Sequence, residues 1–381
     1  MKKLAVVTTH PIQYYAPLFR LLTERGKINC KVFYTWEVEA TKFDVDFGRV
    51  IEWDIPLTDG YEHEFVSNQG VMRRDFRGLK NPELIQKIEA WEADAVLVIG
   101  WNYYSHLKVL RHFKNKIPVF FRGDSTLLDE TPGVKTFARR IFLLWIYSHV
   151  NTAFYVGTHS KAYFRAHGLK DNQLVYTPHA IDNERFADKN GQYAEEAKKW
   201  RKELGIPETD TVLLFAGKLQ PKKNPELLVK AFLAIDNPTL HLILAGNGEQ
   251  EEYLKQLAQG NSRIHFVPFQ NQSRMPVVYK LGDIFCLTSQ GPGETWGLAV
   301  NEAMACGKAV IVSDRCGCAT DLVKNGNNGF IFEFNNIADL TEKIQYFLSH
   351  KEDIGKMGQR GLEIIQNWSF LSIVKAIEAT I

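Results

Sequence analysis

Ile284-Phe285-Cys286-Leu287-Thr288-Ser289-Gln290-Gly291-Pro292-Gly293-Glu294-Thr295-Trp296-Gly297-Leu298-Ala299-Val300-Asn301-Glu302-Ala303-Met304-Ala305-Cys306-Gly307 is the most informative stretch of this chain. Residues 284–288 read as a buried strand. The Gly/Pro-rich loop after it lets backbone approach a ligand closely. A helix then starts near Gly297 and stops at Gly307, a natural C-terminal cap. Strand, glycine loop and helix start together present free amides and a positive dipole end to an anion. Two carboxylates bracket that start, Glu294 in the loop and Glu302 more than a turn into the helix. At ~1.5 Å rise per residue they stand on the order of 10 Å apart. That is the reach from a sugar ring, across a diphosphate, to a ribose, and carboxylates accept hydrogen bonds from the hydroxyls at both ends.

The same alternation of strand and helix extends outward in both directions. Strand candidates are residues 4–8, 30–34, 95–99, 119–122 and 152–156 in the first half, and 212–216, 240–245, 264–267, 284–288 and 309–313 in the second. Helical patterns lie between most of them; Leu227, Leu228, Ala231, Phe232 and Ile235 share one face. The pattern predicts an α/β protein with parallel sheets covered on both faces. At roughly 150 residues per domain, 381 residues imply two domains. The polar segment 188–202 marks the boundary, giving a first domain over 1–186, a second over 187–365 and a final helix over 366–381. Two doubly wound sheets facing one another make a cleft at the carboxyl ends of their strands, where ligands bind in such folds.

The 294–307 stretch resembles the Glu-x7-Glu motif of retaining GT-B glycosyltransferases, especially glycosyltransferase family 4, within the glycosyl transferases group 1. The match includes Trp296-Gly297-Leu298 after the first Glu and Glu302-Ala303-Met304-Ala305-Cys306-Gly307 at the second. The resemblance is strong over about residues 205–330 and looser elsewhere. It implies a GT-B fold: two Rossmann-like domains, with a C-terminal helix crossing back to the first. It also implies that Glu294 contacts the donor sugar and Glu302 the ribose, with Thr295, Trp296, Gly297 and Leu298 lining the nucleotide site. In Gly217-Lys218-Leu219-Gln220-Pro221-Lys222-Lys223-Asn224-Pro225, Asn224 can cap a helix that has Pro225 in its first turn. Lys223 matches the phosphate-binding lysine of the family. Lys218 stands where arginine is usual, keeping the charge and losing the bidentate fork. Gly246-Asn247-Gly248 is a turn near the nucleotide in the family pattern. Phe269 and Gln270 then lie either near the base or in a simple loop.

The first half is assigned the acceptor. Its first strand ends in Thr9-His10-Pro11-Ile12-Gln13, similar to the opening of some bacterial family members, and His10 either faces the cleft or serves as a capping or core residue. At the strand exit 119–125, where many members carry a histidine, this chain has Arg122 and Asp124. Asp124 can bind an acceptor hydroxyl or act as a base, and Arg122 can hold phosphate charge; a structural ion pair is the alternative for both. His179 replaces the usual asparagine of the turn before the linker and reads as a hinge contact.

The resemblance therefore implies an enzyme that moves a hexosyl group from a nucleotide-diphosphate sugar to a hydroxyl of a glycan or lipid-linked acceptor, in cell-surface polysaccharide synthesis, with no metal and no cofactor. Rival readings are an NAD-dependent oxidoreductase, a sugar-nucleotide epimerase of GT-B-like fold and a non-catalytic nucleotide-sugar-binding partner. A missing dinucleotide fingerprint disfavours the first. A net charge of +2 points away from nucleic acid. Five cysteines, four of them in the second half, form no disulfide framework and read as reduced cytosolic thiols. Asp44-Val45-Asp46 has the spacing of a metal-binding motif from the other major glycosyltransferase fold. The two-sheet pattern argues against it. No stretch approaches the ~20 apolar residues of a membrane span. Residues 141–147, preceded by Arg139 and Arg140, are either a buried helix or a peripheral contact with the inner face of a membrane.

Overall fold

The computed structural model describes residues 1–36, 43–44, 49–50, 52–70 and 75–381, with backbone alone for 43–44 and 49–50. The chain divides into two compact units. One joins Met1–His179 to Phe370–Ile381, and the other is Ala180–Ser369.

The first unit carries β1 (Lys2–Thr8), β2 (Ile28–Tyr34), the short antiparallel pair β3 (Phe43–Asp44) and β4 (Arg49–Val50), β5 (Glu62–Phe65), β6 (Ala95–Ile99), β7 (Val119–Gly123), β8 (Thr152–Tyr155) and β9 (Leu174–Tyr176). Seven of these form one sheet in the order β5-β2-β1-β6-β7-β8-β9, every neighbour parallel. The order reverses between β1 and β6, so their carboxyl ends open a crevice. Helix Phe370–Thr380 belongs to this unit. It buries Phe370, Ile373, Val374 and Ile377 and packs on helix Ala16–Glu24. Arg25 grips Glu378 of that helix with two bonds, at 2.7 and 2.8 Å. The planar fork makes such a pair directional as well as attractive.

The second unit carries β10 (Thr211–Ala216), β11 (Leu240–Ala245), β12 (Ile264–Val267), β13 (Ile284–Leu287), β14 (Ala309–Ser313) and β15 (Gly329–Phe332). They form a parallel sheet in the order β12-β11-β10-β13-β14-β15, reversing between β10 and β13. Every residue of β10 and β11 is buried, as expected of strands covered on both faces. Helix Pro225–Leu233 buries Leu227, Leu228, Ala231 and Phe232, and the Asn224 side chain accepts from the Leu227 amide at 3.3 Å, closing its first turn. The polar stretch at 188–202 is no open connector: it contains helix Gln192–Glu203, which packs on Met275–Leu281 inside the second unit.

Three strands of the two parallel sheets have no counterpart in the sequence reading: β5, β9 and β15. All three are sheet edges. An edge strand has a neighbour on one side only and needs no continuous apolar run; β5 reads Glu-His-Glu-Phe and buries none of its residues fully.

Gly246 has a backbone φ of +138°, and a Cβ there would lie 2.0 Å from the Gly217 carbonyl oxygen. Two main chains meet at that point and neither can yield as a flexible side chain would. Gly246→Ala is expected to cost a few kcal/mol, roughly the cost of an overpacked core, whereas Gly260→Ala, at φ +71° in open space, is expected to cost only about 1 kcal/mol. Urea midpoints of the two variants check this. A second expectation concerns His106, which is fully buried. Its Nδ1 lies 2.9 Å from the Gly100 carbonyl, which can only accept, so Nδ1 carries the proton and Nε2 accepts from the Thr35 hydroxyl at 2.9 Å. Burial lowers its pKa to about 4. The unfolded chain then binds a proton near pH 6.5 that the folded chain refuses until about pH 4. Stability should fall as pH drops through that window, by up to about 3 kcal/mol, and His106→Gln should flatten the slope of unfolding free energy against pH.

Candidate active site

In the second unit, the turn after β10 and the loop after β13 lie side by side at the point where strand order reverses. The loop is tied down through main-chain groups. The Thr288 hydroxyl reaches the carbonyls of Lys223 and Asn224, at 3.2 and 2.8 Å. The Gln290 amide and side chain reach Lys222 and Pro221, at 3.0 and 2.8 Å. From the other side, the amides of Gly317 and Cys318 donate to the carbonyls of Glu294 and Trp296, at 3.1 and 2.9 Å.

Held this way, Lys223 Nζ meets Glu294 Oε2 at 2.5 Å, with the side chains 17% and 7% exposed. The Ser289 hydroxyl donates to the same carboxylate at 3.1 Å. Gly297, in the left-handed region at φ +97°, precedes helix Leu298–Ala305. Glu302 lies on the second turn of this helix and is buried, accepting from the Tyr279 hydroxyl at 2.6 Å. The two glutamates thus occupy different settings: one paired with a cation at the loop, one held by a phenol inside.

The remaining donor candidates divide by environment. Gly217, Lys218, Gly246 and Gly248 lie half-buried in the turns that follow β10 and β11. The Leu219 amide donates to the Asn247 carbonyl at 3.0 Å, and the Asn247 side chain accepts from the Phe269 amide at 2.7 Å. Asn247 therefore joins three strand exits, and Phe269 and Gln270 flank it, half-buried. Thr295 and Leu298 are half-buried too. The Trp296 indole points into the interior. It donates to Asn301 at 2.9 Å and packs on Trp368 with ring centroids 5.1 Å apart. Sequence reasoning missed Tyr279, Ser289 and Asn247. Only Asn247, between two glycines after a strand, carried a local signal.

In the first unit, Arg122 is fully buried and its guanidinium donates to the Thr177 carbonyl and hydroxyl and to the Pro178 carbonyl. It holds the main chain that carries His179. Asp124 stays accessible, 4.0 Å from His179 Nε2. Burial depresses His179 to a pKa of about 4, with Asp124 opposing and Arg122 reinforcing the shift. Tyr15 joins this cluster. Enclosure pushes its hydroxyl pKa up, against the pull of Arg122, and Asp124 adds to the rise. So Arg122, Asp124, His179 and Tyr15 are brought together, a grouping the sequence showed only in part. The His10 ring stacks on Trp36 at 4.8 Å, and its Nδ1 lies 2.9 Å from the Thr9 hydroxyl. All five cysteines are buried and none is disulfide-bonded. Of the Asp44-Val45-Asp46 motif, Val45, Asp46 and the Asp44 side chain lie outside the described residues.

Comparison with known proteins bears on the same region. Residues 196–363 match the family model described as glycosyl transferases group 1. A D-inositol 3-phosphate glycosyltransferase of Geodermatophilus obscurus is 30% identical over 200 residues, which are 49% of this chain and 42% of that protein. Spore coat protein SA of Bacillus subtilis is 30% identical over 193 residues, 47% of this chain and 50% of that protein. The chain thus spans half or less of the length of these curated relatives. The structure of Anabaena HepE in complex with UDP matches 100% of this chain and 99% of that one with a TM-score of 0.75, at 18% identity, a likeness of fold. The two parallel-sheet Rossmann-like units give the chain the GT-B fold, and its residues 196–363 are similar to the glycosyl transferases group 1.

Proposed function

We propose that this protein is a glycosyltransferase that moves a hexosyl group from a nucleotide-diphosphate sugar to a hydroxyl acceptor, with retention of configuration and without a metal ion. The observation that carries the reading is the Lys223–Glu294 pair at the head of helix Leu298–Ala305. A diphosphate arriving at the helix amides offers Lys223 a stronger partner than one carboxylate. Lys223 turns to the phosphate, and Glu294 is released to accept from sugar hydroxyls. Lys218 and the amides share the charge that grows on the leaving diphosphate. Glu302, steadied by Tyr279, offers its other oxygen to the ribose. The acceptor hydroxyl attacks from the face the diphosphate leaves and passes its proton to the departing phosphate. No protein nucleophile is required.

The acceptor belongs to the first unit, where Asp124 is the accessible group of the Tyr15, Arg122 and His179 cluster and binds the incoming hydroxyl. A glycan or lipid-linked acceptor, and a place in cell-surface polysaccharide synthesis on the cytoplasmic side, rest on the family resemblance. UDP is the first nucleotide to test because HepE was solved with it.

Thermal unfolding with UDP, GDP, ADP and CMP tests the donor site. A nucleotide at 100 times its dissociation constant should add about 2.7 kcal/mol. Removing Lys223 leaves a buried carboxylate without its cation, which alone costs about 3–5 kcal/mol. The quantity to read is therefore the increment caused by nucleotide in each variant, not the absolute Tm. Lys223→Ala and Glu302→Ala should lose the increment. Glu294→Gln should keep the response to UDP and lose sugar transfer from the matching UDP-sugar. A folded wild type that responds to none of the four nucleotides would remove the donor-site reading.

A further inference from the structure

Helix Val134–Tyr147 in the first unit has two apolar faces, and only one is covered. Leu143, Ile146 and Tyr147 are buried in the unit's core. Val134, Phe137, Ile141, Phe142, Leu144 and Trp145 are exposed, Val134 at 87%, Phe137 at 65% and Ile141 at 55%. Placed on a helical wheel at ~100° per residue, the exposed set falls within one arc of roughly 160°, opposite the buried set. Lone exposed apolar residues need no explanation, but a contiguous face of this kind marks an interaction surface.

The charges on the helix are arranged around that arc. Lys135 falls on one flank and Arg140 on the other, Arg139 lies further round on the side of Ile146 and Leu143, and the helix bears no carboxylate. Arg111, from the neighbouring helix, lies over the Trp145 ring at 5.5 Å. Glu130 is shared between Arg139 at 2.9 Å and Arg140 at 3.7 Å. Lys135, Arg139, Arg140 and Arg111 together outnumber Glu130 around the helix. An apolar centre with tryptophan and phenylalanine, bordered on both sides by lysine and arginine, complements the layer where acyl chains meet anionic headgroups. A protein partner would have no reason to require cations on both flanks of the apolar arc.

We propose that this face of helix Val134–Tyr147 docks the protein on the surface of a bilayer containing anionic phospholipid, with the apolar arc inserted and Lys135, Arg140 and Arg111 on the headgroup phosphates. The helix has 14 residues, too few to span a bilayer, so it lies in the plane of the interface. This docking is independent of the donor-site reading: neither the face nor its test involves a nucleotide.

Cosedimentation of the full chain with vesicles tests the proposal, using phosphatidylcholine alone and phosphatidylcholine with about a third phosphatidylglycerol. Wild type is expected to pellet with the anionic vesicles and to be released by salt. The combined variant Phe137→Ser, Ile141→Ser and Trp145→Ser should bind at least about tenfold more weakly with unchanged Tm, since all three side chains face outward. Lys135→Gln with Arg140→Gln should narrow the difference between the two vesicle types. The control Leu371→Ser, an exposed apolar residue elsewhere in the unit, should bind as wild type. The proposal is overturned if wild type stays in the supernatant with anionic vesicles at low salt, or if the triple variant binds as wild type does. It is equally overturned if wild type ignores vesicles and instead forms a dimer that the triple variant abolishes, which would make the face an interface between copies of the chain.

Discussion

Lys223 and Glu294 belong to loops that leave different strands, and most of the second unit's local structure serves to place them together. A lysine and a glutamate at 2.5 Å with so little exposure are costly to dehydrate, and their mutual attraction offsets that cost only if the geometry is held. An exposed pair of the same type contributes about 0–1 kcal/mol and tolerates drift. The buried one does not, which explains the density of main-chain restraints around it. Thr288 and Gln290 bind the turn that carries Lys223, and Gly317 and Cys318 bind the loop that carries Glu294. The sheet supplies the frame. β10 and β13 are adjacent because strand order reverses there, so residues about 70 positions apart in sequence become neighbours at one end of the sheet.

The same arrangement fits a site that exchanges partners on binding. A buried ion pair that is fully satisfied contributes little net stability compared with apolar packing, yet it fixes where each charge waits. On the proposed function, a phosphate that takes the lysine would release the carboxylate in the same event. Glu302 differs in kind: Tyr279 donates to it from within the protein, so its position does not depend on a ligand. One glutamate is paired with a cation and the other with a phenol, although both stand in one short motif.

The central strands and the donor loop were legible in the sequence because each has a local signature. β10, β11, β13 and β14 are continuous apolar runs, the pattern that burial on both faces requires. Gly297 and Asn224 mark helix starts by their own chemistry. What was illegible depends on partners distant in sequence. Edge strands such as β5 are defined by a neighbour and not by their own composition. Tyr279 looks like any core tyrosine until Glu302 is placed against it. Arg122 read as a phosphate ligand or an ion-pair member; its hold on the carbonyls of Thr177 and Pro178, more than fifty residues on, had no signal in the sequence.

Helix Val134–Tyr147 shows the limit of reading one period in a sequence. Leu143, Ile146 and Tyr147 account for its packing, and a run of apolar residues at 141–147 is what a buried helix requires. A helix covered on one side needs only about half of its circumference apolar. This one is apolar on nearly all sides, and such helices belong to the interior of a large core or to a setting where both sides meet apolar surroundings. Among the described residues, the fold supplies the first setting for one face alone and leaves the outer arc exposed. The flanking cations resolve the remainder. Lysine and arginine stems are long enough to let a helix sink while their charges stay at the polar boundary. Lys135 and Arg140 lie between the two apolar faces, at the boundary that such a helix would share with both its own core and a lipid surface.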